Sequence, residues 1–204
     1  GGVSTRRLTI DGVVPFAEAA NLKFRYAGGW QSVVLGDGKE AYWFQLKAGR
    51  HVLRLETVLG DLADIVRQTD AAILKLNEIY REIIVITGPS PDAYRDYFLE
   101  EEIPGTLTKL AKAAQALSQI AKEYKSRSQK SNEQLAVINR LILLSEQILE
   151  DPARIAKLLA SFKSGVASLG TWALSVREQP LELDYLLLMG ENTPPPKGES
   201  GFFS

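Results

Sequence analysis

Two hydrophobic periods divide the chain. Up to about residue 58, apolar and polar positions alternate: Leu8 and Ile10 stand against Arg7 and Thr9, Tyr42, Phe44 and Leu46 against Trp43 and Gln45, and Leu53 and Leu55 against Arg54 and Glu56. Residues two apart share one face of an extended chain, so the spacing predicts strands with one buried face. Gly28-Gly29, Gly36-Asp37-Gly38 and Ala48-Gly49 fall between them and supply the positive-φ positions that hairpin turns need. Residues 11–24 fit neither period. There Pro15 and the run Ala17-Glu18-Ala19-Ala20 allow a short helical turn between strands.

From Gly60 the period lengthens. Leu62, Val66, Ile73, Leu76, Tyr80 and Ile83 predict a helix over 61–86, and Thr87-Gly88-Pro89-Ser90-Pro91 stops it. Ser90 with Pro91 predicts the cap and first turn of a short helix to about Glu101, carrying Tyr94, Tyr97 and Phe98. A second long helix is expected from about Pro104 to Arg127, with Leu107, Leu110, Ala114, Leu117, Ala121 and Tyr124 on one stripe. The third runs from Ser131, paired with Gln134 as a capping box, to about Glu150; it is apolar on two faces, so the deepest burial is expected there. Asp151-Pro152 opens the fourth, where Ile155, Leu159, Phe162, Val166, Leu169, Ala173 and Val176 keep heptad spacing.

After Gln179-Pro180 the period of two returns. Leu181, Leu183, Tyr185 and Leu187 alternate with Glu182 and Asp184, which predicts a last strand. An even number of antiparallel helices brings the chain back to the end it left, so this strand can join the first ones. The expected fold class is α+β: an antiparallel β-sandwich from residues 1–58 plus 180–190, split in sequence by an inserted antiparallel bundle of four long helices over 60–178. Residues 191–200 read as a Pro-rich linker, and 201–204 as the start of a following segment, because Phe202 and Phe203 have nothing to bury against.

Composition narrows the chemistry more than the fold. With 204 residues, 45% hydrophobic and 24% charged, the chain has the make-up of a globular protein. Its 24 basic and 25 acidic side chains leave a net charge of −1, without the cation excess that nucleic-acid binding uses. There is no cysteine and a single histidine, which excludes disulfides, thiolate chemistry and paired imidazole ligands, and no metal or cofactor is expected. The longest apolar runs, Ile83 to Ile86 and Leu186 to Met189, fall far short of the ~20 residues that span a bilayer. No secretory signal opens the chain, and the strand pattern already under way at Leu8 suggests a segment of a longer polypeptide.

Each candidate for chemistry has a plainer reading beside it. His51 alternates with Leu53 and Leu55, as a partly buried structural histidine would, and no triad spacing surrounds it. Asp61 and Asp64 suit a helix start, and Glu100, Glu101 and Glu102 a solvated helix end. Gly36-Asp37-Gly38-Lys39 resembles part of a phosphate loop but lacks the full spacing and the following helix, which favours a hairpin turn. Lys122, Lys125, Arg127 and Lys130 cluster at the tip between the second and third long helices, where they are either solvated or a docking point for an anionic surface. Among the aromatics, Tyr42 and Phe44 share a core face, which leaves Trp43 and Trp30 as the candidate glycan contacts. No catalytic residue is assigned, since no nucleophile, base and orienter come together in the pattern.

Several stretches resemble a known family, the very large extracellular solute-binding proteins, family 1, of ABC-type sugar importers from Firmicutes. They are Asp11-Gly12-Val13-Val14-Pro15-Phe16-Ala17-Glu18-Ala19, Gly49 to Glu56 running into Leu59 to Ala63, Leu76 to Arg81, and Ile86-Thr87-Gly88-Pro89-Ser90-Pro91 through Tyr97. Leu169-Gly170-Thr171-Trp172, Arg177 to Tyr185 and Gly201-Phe202-Phe203 complete them. The resemblance implies an internal, non-catalytic accessory domain, a spacer or docking element of a cell-surface protein that delivers carbohydrate to an importer. It also implies a lipid anchor outside this segment, and as partners the other domains of the same polypeptide, with the ABC permease or a cell-wall glycan beyond them. A glycan-binding sandwich module and a helical scaffold for protein contacts are the alternatives.

Overall fold

The computed structural model describes residues 3–25, 29, 31–37, 39–127, 132–179, 181, 183–190 and 193. The chain divides into two compact units, one formed by Gly1–Gly60 with Arg177–Ser204 and one by Asp61–Val176. In the first, β1 (Val3–Ile10) lies between β2 (Leu22–Arg25) and β3 (Leu53–Thr57) in an antiparallel sheet of order β2-β1-β3. Ser4 faces Phe24 across one ladder, and Leu8 faces Leu55 across the other. The alternation appears as expected: Leu8 is 1% and Ile10 9% exposed, while Arg7 is exposed. A 3-10 turn over Ala17–Asn21 leads into β2, where Leu22 and Phe24 turn inward and Lys23 and Arg25 outward.

The expected β-sandwich is not what forms. Among the described residues there is one three-stranded sheet and no second sheet to pack on it. Residues 42–45 keep their alternation, with Tyr42 and Phe44 half-buried and Trp43 and Gln45 exposed, but Leu46, expected inward, is exposed, and the stretch belongs to no ladder. Just before them Gly36 and Ala41 form an isolated bridge, and the Asp37 side chain takes the amides of Lys39 and Glu40 at 2.7 and 2.8 Å. This is the hairpin turn expected there. A Cβ on Gly36 would fall 2.1 Å from the Glu40 carbonyl oxygen, so the turn requires glycine. The sheet's second layer is thus loop: Phe16 sits 5.0 Å from the Tyr42 ring and 5.4 Å from Phe44, over Leu8, Ala19 and Leu22.

The last predicted strand also fails to appear. Leu181 and residues 183–190 carry no strand, and Leu183, Tyr185, Leu187 and Leu188 are each about half exposed. Among the described residues, Gln179 ties the returning chain to the sheet instead. Gln179 has φ +35°, its side-chain oxygen accepts the Thr5 amide at 2.6 Å and its side-chain nitrogen donates to the Val58 carbonyl at 3.2 Å. Its backbone carbonyl accepts from Arg6 Nη2 at 2.5 Å and from the Ser4 hydroxyl at 3.2 Å. That explains why Ser4, Thr5 and Arg6 are all buried, against the alternation of β1.

The second unit is the helical bundle that the longer period predicts: α1 (Ala63–Thr87), the short α2 (Leu99–Glu102), α3 (Thr106–Arg127), α4 (Asn132–Glu150) and α5 (Ile155–Glu178). Gly88, at φ +70°, ends α1 by donating its amide to the Ile84 carbonyl. Asp151 caps the turn that opens α5, accepting the Ala153 amide with Pro152 in the first position. The helix expected from Ser90 shrinks to Leu99–Glu102, because local side chains satisfy the backbone first. Asp92 accepts the Tyr94 amide, Asp96 accepts the Phe98 amide, and the Tyr97 hydroxyl accepts the Asp92 amide.

α1 and α3 run antiparallel: Glu82 near the end of α1 meets Thr106 and Lys109 at the start of α3, and Gln68 near the start of α1 meets Glu123. Leu76, Leu110, Leu117, Ile138, Leu141, Leu159, Phe162 and Leu169 make a core in which none exceeds 1% exposure. Gly165 lets α5 close on Leu141, whose side chain lies 2.7 Å from where its Cβ would be. α4 is not buried all round, since Leu143 is 53% exposed. The predicted Ser131–Gln134 cap and the linker, Thr193 apart, lie outside the described residues, as do Trp30, Lys130 and 201–204.

Candidate functional site

The first unit forms a hollow beside the turn that ends β1. Ile10 and Val13 exchange backbone hydrogen bonds at 2.9 and 3.0 Å around Asp11 and Gly12, whose φ values are +52° and +83°. Asp-Gly is the pair favoured where both central residues of a hairpin take positive φ. The Asp11 amide donates to the Val52 carbonyl at 2.9 Å, and Asp11 Oδ1 accepts the Val52 amide at 2.9 Å. The turn is thereby pinned to the entrance of β3, and the Asp11 carboxylate meets His51.

His51 Nδ1 lies 2.6 Å from Asp11 Oδ2, and Nε2 lies 2.8 Å from the Lys47 carbonyl oxygen. A carboxylate and a carbonyl only accept, so the ring satisfies both neighbours only as the imidazolium. The hydrogen bond to Asp11, then that to Lys47, raises the His51 pKa above its ordinary value. The hydrogen bond from His51, then that from the Val52 amide, lowers the Asp11 pKa. With both ring nitrogens engaged, His51 clasps Asp11 to the 47–51 loop.

Trp43, Phe44, Gln45 and Lys47 line an open hollow of about 540 Å³ with Asp11, His51 and the Pro15-Phe16 turn. Trp43 is 62% exposed and so belongs to the surface and not to the core. Trp30, the other candidate glycan contact, lies outside the described residues. Asp11 was not singled out by sequence pattern, although Asp11-Gly12 before an apolar pair was a readable hairpin signal.

The carboxylate pairs do not converge on a site. Asp64 pairs with Arg67 at 2.9 Å, the Asp61 carbonyl accepts from Arg127 Nη1 at 2.6 Å, and Glu100 accepts the Gly105 amide. Among the described residues, no three His, Asp or Glu side chains gather as a metal site would require. No helix among them is long and apolar enough to cross a membrane.

A family model described as the four-helix bundle domain of bacterial solute-binding proteins matches residues 64–175, the span from the first turn of α1 into the last turns of α5. No curated protein and no solved structure matches the chain.

Proposed function

The chain belongs to the bacterial solute-binding proteins that carry a four-helix bundle domain, and on that premise we propose that it is their non-catalytic accessory region, a spacer or docking element that does not enclose the transported solute. The observation that carries this reading is the bundle itself. Its interior is filled with apolar side chains, and α1 to α5 lack the alternation of strand and helix that places ligand clefts at strand ends.

The finer reading is that the carrier protein takes carbohydrate to an ABC importer at the cell surface, held by a lipid anchor outside this segment. The resemblance of Asp11 to Ala19 and of Arg177 to Tyr185 to sugar-importer proteins supports it. The location is extracellular or periplasmic, as for solute-binding proteins in general. The bundle then works by geometry, holding other domains of the same polypeptide at a set distance or offering them a surface.

Calorimetric titration of the chain with a panel of neutral oligosaccharides tests this. The expected result is no binding of micromolar strength or tighter, because a surface contact buries too little of a sugar for that affinity. Micromolar binding would overturn the accessory reading.

A further inference from the structure

Three exposed side chains, Trp43, Gln45 and Lys47, lie along one irregular segment beside the hollow. Tyr42 and Phe44 turn inward onto Phe16, while Trp43 and Gln45 turn outward, and Leu46 and Lys47 after them are exposed as well. Among the described residues, neither the Gln45 amide nor the Lys47 ammonium has a hydrogen-bond or ion-pair partner. A large indole is thus left mostly in water beside two unengaged polar groups. Asp11 and His51 are joined to each other, so the wall they form is neutral as a pair and Lys47 leaves the hollow with one positive charge.

We propose that this hollow is a shallow saccharide site in which the C–H face of a pyranose ring stacks on Trp43 while its hydroxyls bond Gln45 and Lys47. The uncompensated ammonium adds a preference for an acidic sugar over a neutral one. The combination favours this class over its neighbours: an apolar peptide would match Val13, Pro15 and Leu46 but would desolvate Lys47 and Gln45 without partnering them, and a bare anion has no use for an indole. A sugar has both an apolar face and a rim of hydroxyls, which match an aromatic plate flanked by an amide and an ammonium. The openness of the hollow keeps the affinity in the millimolar range. The inference uses only the sheet unit and does not depend on the family to which the bundle assigns the chain.

The three tryptophans give the test its resolution, since each indole N–H reports separately in a proton–nitrogen correlation spectrum of the labelled 204-residue chain. The probes are methyl β-glucopyranoside, its glucuronide counterpart, glycerol as a polyol control and a short apolar peptide. A saturable millimolar shift of the Trp43 signal with both sugars is expected, and no shift of Trp172, which is buried in the bundle. The glucuronide binds several-fold more tightly, and Lys47→Gln removes that advantage. Trp43→Ala abolishes the response of the surrounding backbone amides while leaving the thermal melt unchanged, which separates loss of contact from loss of fold.

Absence of a saturable shift, or binding that survives Trp43→Ala, overturns the site and leaves the accessory reading intact. A response to the peptide without one to the sugars overturns it in favour of a protein contact. Binding of micromolar strength at Trp43 would keep the site and overturn the accessory role.

Discussion

In the bundle, side chains from α1, α3, α4 and α5 close over one another until Leu76, Leu110, Leu141 and Phe162 lose all contact with water. In the sheet unit, the apolar cluster has only Leu8, Ala19 and Leu22 fully covered, and Phe16, Tyr42 and Phe44 remain partly open. The bundle stands on apolar area, which tolerates small polar errors at its surface but not inside. The sheet unit stands on a few hydrogen bonds that link residues far apart in sequence: Gln179 with Ser4, Thr5, Arg6 and Val58, and Asp11 with His51 and Val52. A unit of the second kind depends on individual residues, and single substitutions should separate the two.

The largest effect is expected from Leu169→Asp or Leu159→Asp, which bury an unpaired carboxylate in the bundle. The loss should exceed ~4 kcal/mol and abolish the helical signal in circular dichroism at ordinary temperatures. An unchanged melt would show that these stripes face solvent.

Gln179→Ala tests the opposite unit. It removes both side-chain hydrogen bonds and leaves the Thr5 amide without its partner inside, at a cost of about 2–4 kcal/mol confined to the sheet. Native-state amide exchange measures it: Thr5 and its β1 neighbours should lose protection while α3 and α5 keep theirs. If both units lose protection equally, they unfold together and the contrast fails.

Gly165→Ala returns to the bundle with a smaller lever. The added methyl must displace Leu141, whose Cδ2 lies 2.7 Å away. Better helix propensity offsets ~1 kcal/mol of the strain, so a net destabilisation of about 1 kcal/mol is expected in a thermal melt. A stabilised variant would show that Leu141 has room to move and that the bundle is less tightly packed than the sheet's loop layer.

The subtlest test is pH. His51 has its pKa raised by Asp11 and the Lys47 carbonyl, so its contribution is fully present below the ordinary imidazole value of about 6.5 and is lost as pH rises through the higher folded value. Asp11 has its pKa lowered by His51 and Val52, so its contribution is present above the ordinary carboxylate range and is lost as pH falls through the lower folded value. Between those limits the clasp is closed. The single histidine makes its ring proton signal easy to follow by magnetic resonance; a midpoint at or below the ordinary value would falsify the clasp.

How much of this could be read in advance differs between the units for the same reason. Gly88 with Pro89 and Asp151 with Pro152 mark helix ends within a few residues, and helices appear beside both. The alternation at 42–47 and 181–187 is equally legible, and it sorts Tyr42 and Phe44 from Trp43, yet Leu46, Leu183, Tyr185 and Leu187 are exposed and neither stretch is a strand among the described residues. Asp92 and Asp96 took the amides that the expected helix after Ser90 would have used, a competition written in the sequence but not resolved by spacing alone. Asp11 and His51, separated by 40 residues, meet only in the fold.

The sequence by itself determined the four long helices, because an α-helix satisfies its hydrogen bonds within four residues and its buried stripe repeats along one segment. It also separated Leu8 and Ile10 from Arg7, and Tyr42 and Phe44 from Trp43, since those sides follow from neighbouring positions alone. Tertiary structure decided which extended runs became strands, that Gln179 rather than 181–188 would reach the sheet, and that a hollow would open between Asp11, Trp43 and Lys47. A strand exists only when a second segment, distant in the chain, supplies the partners for its amides and carbonyls, and no local pattern states whether that segment arrives.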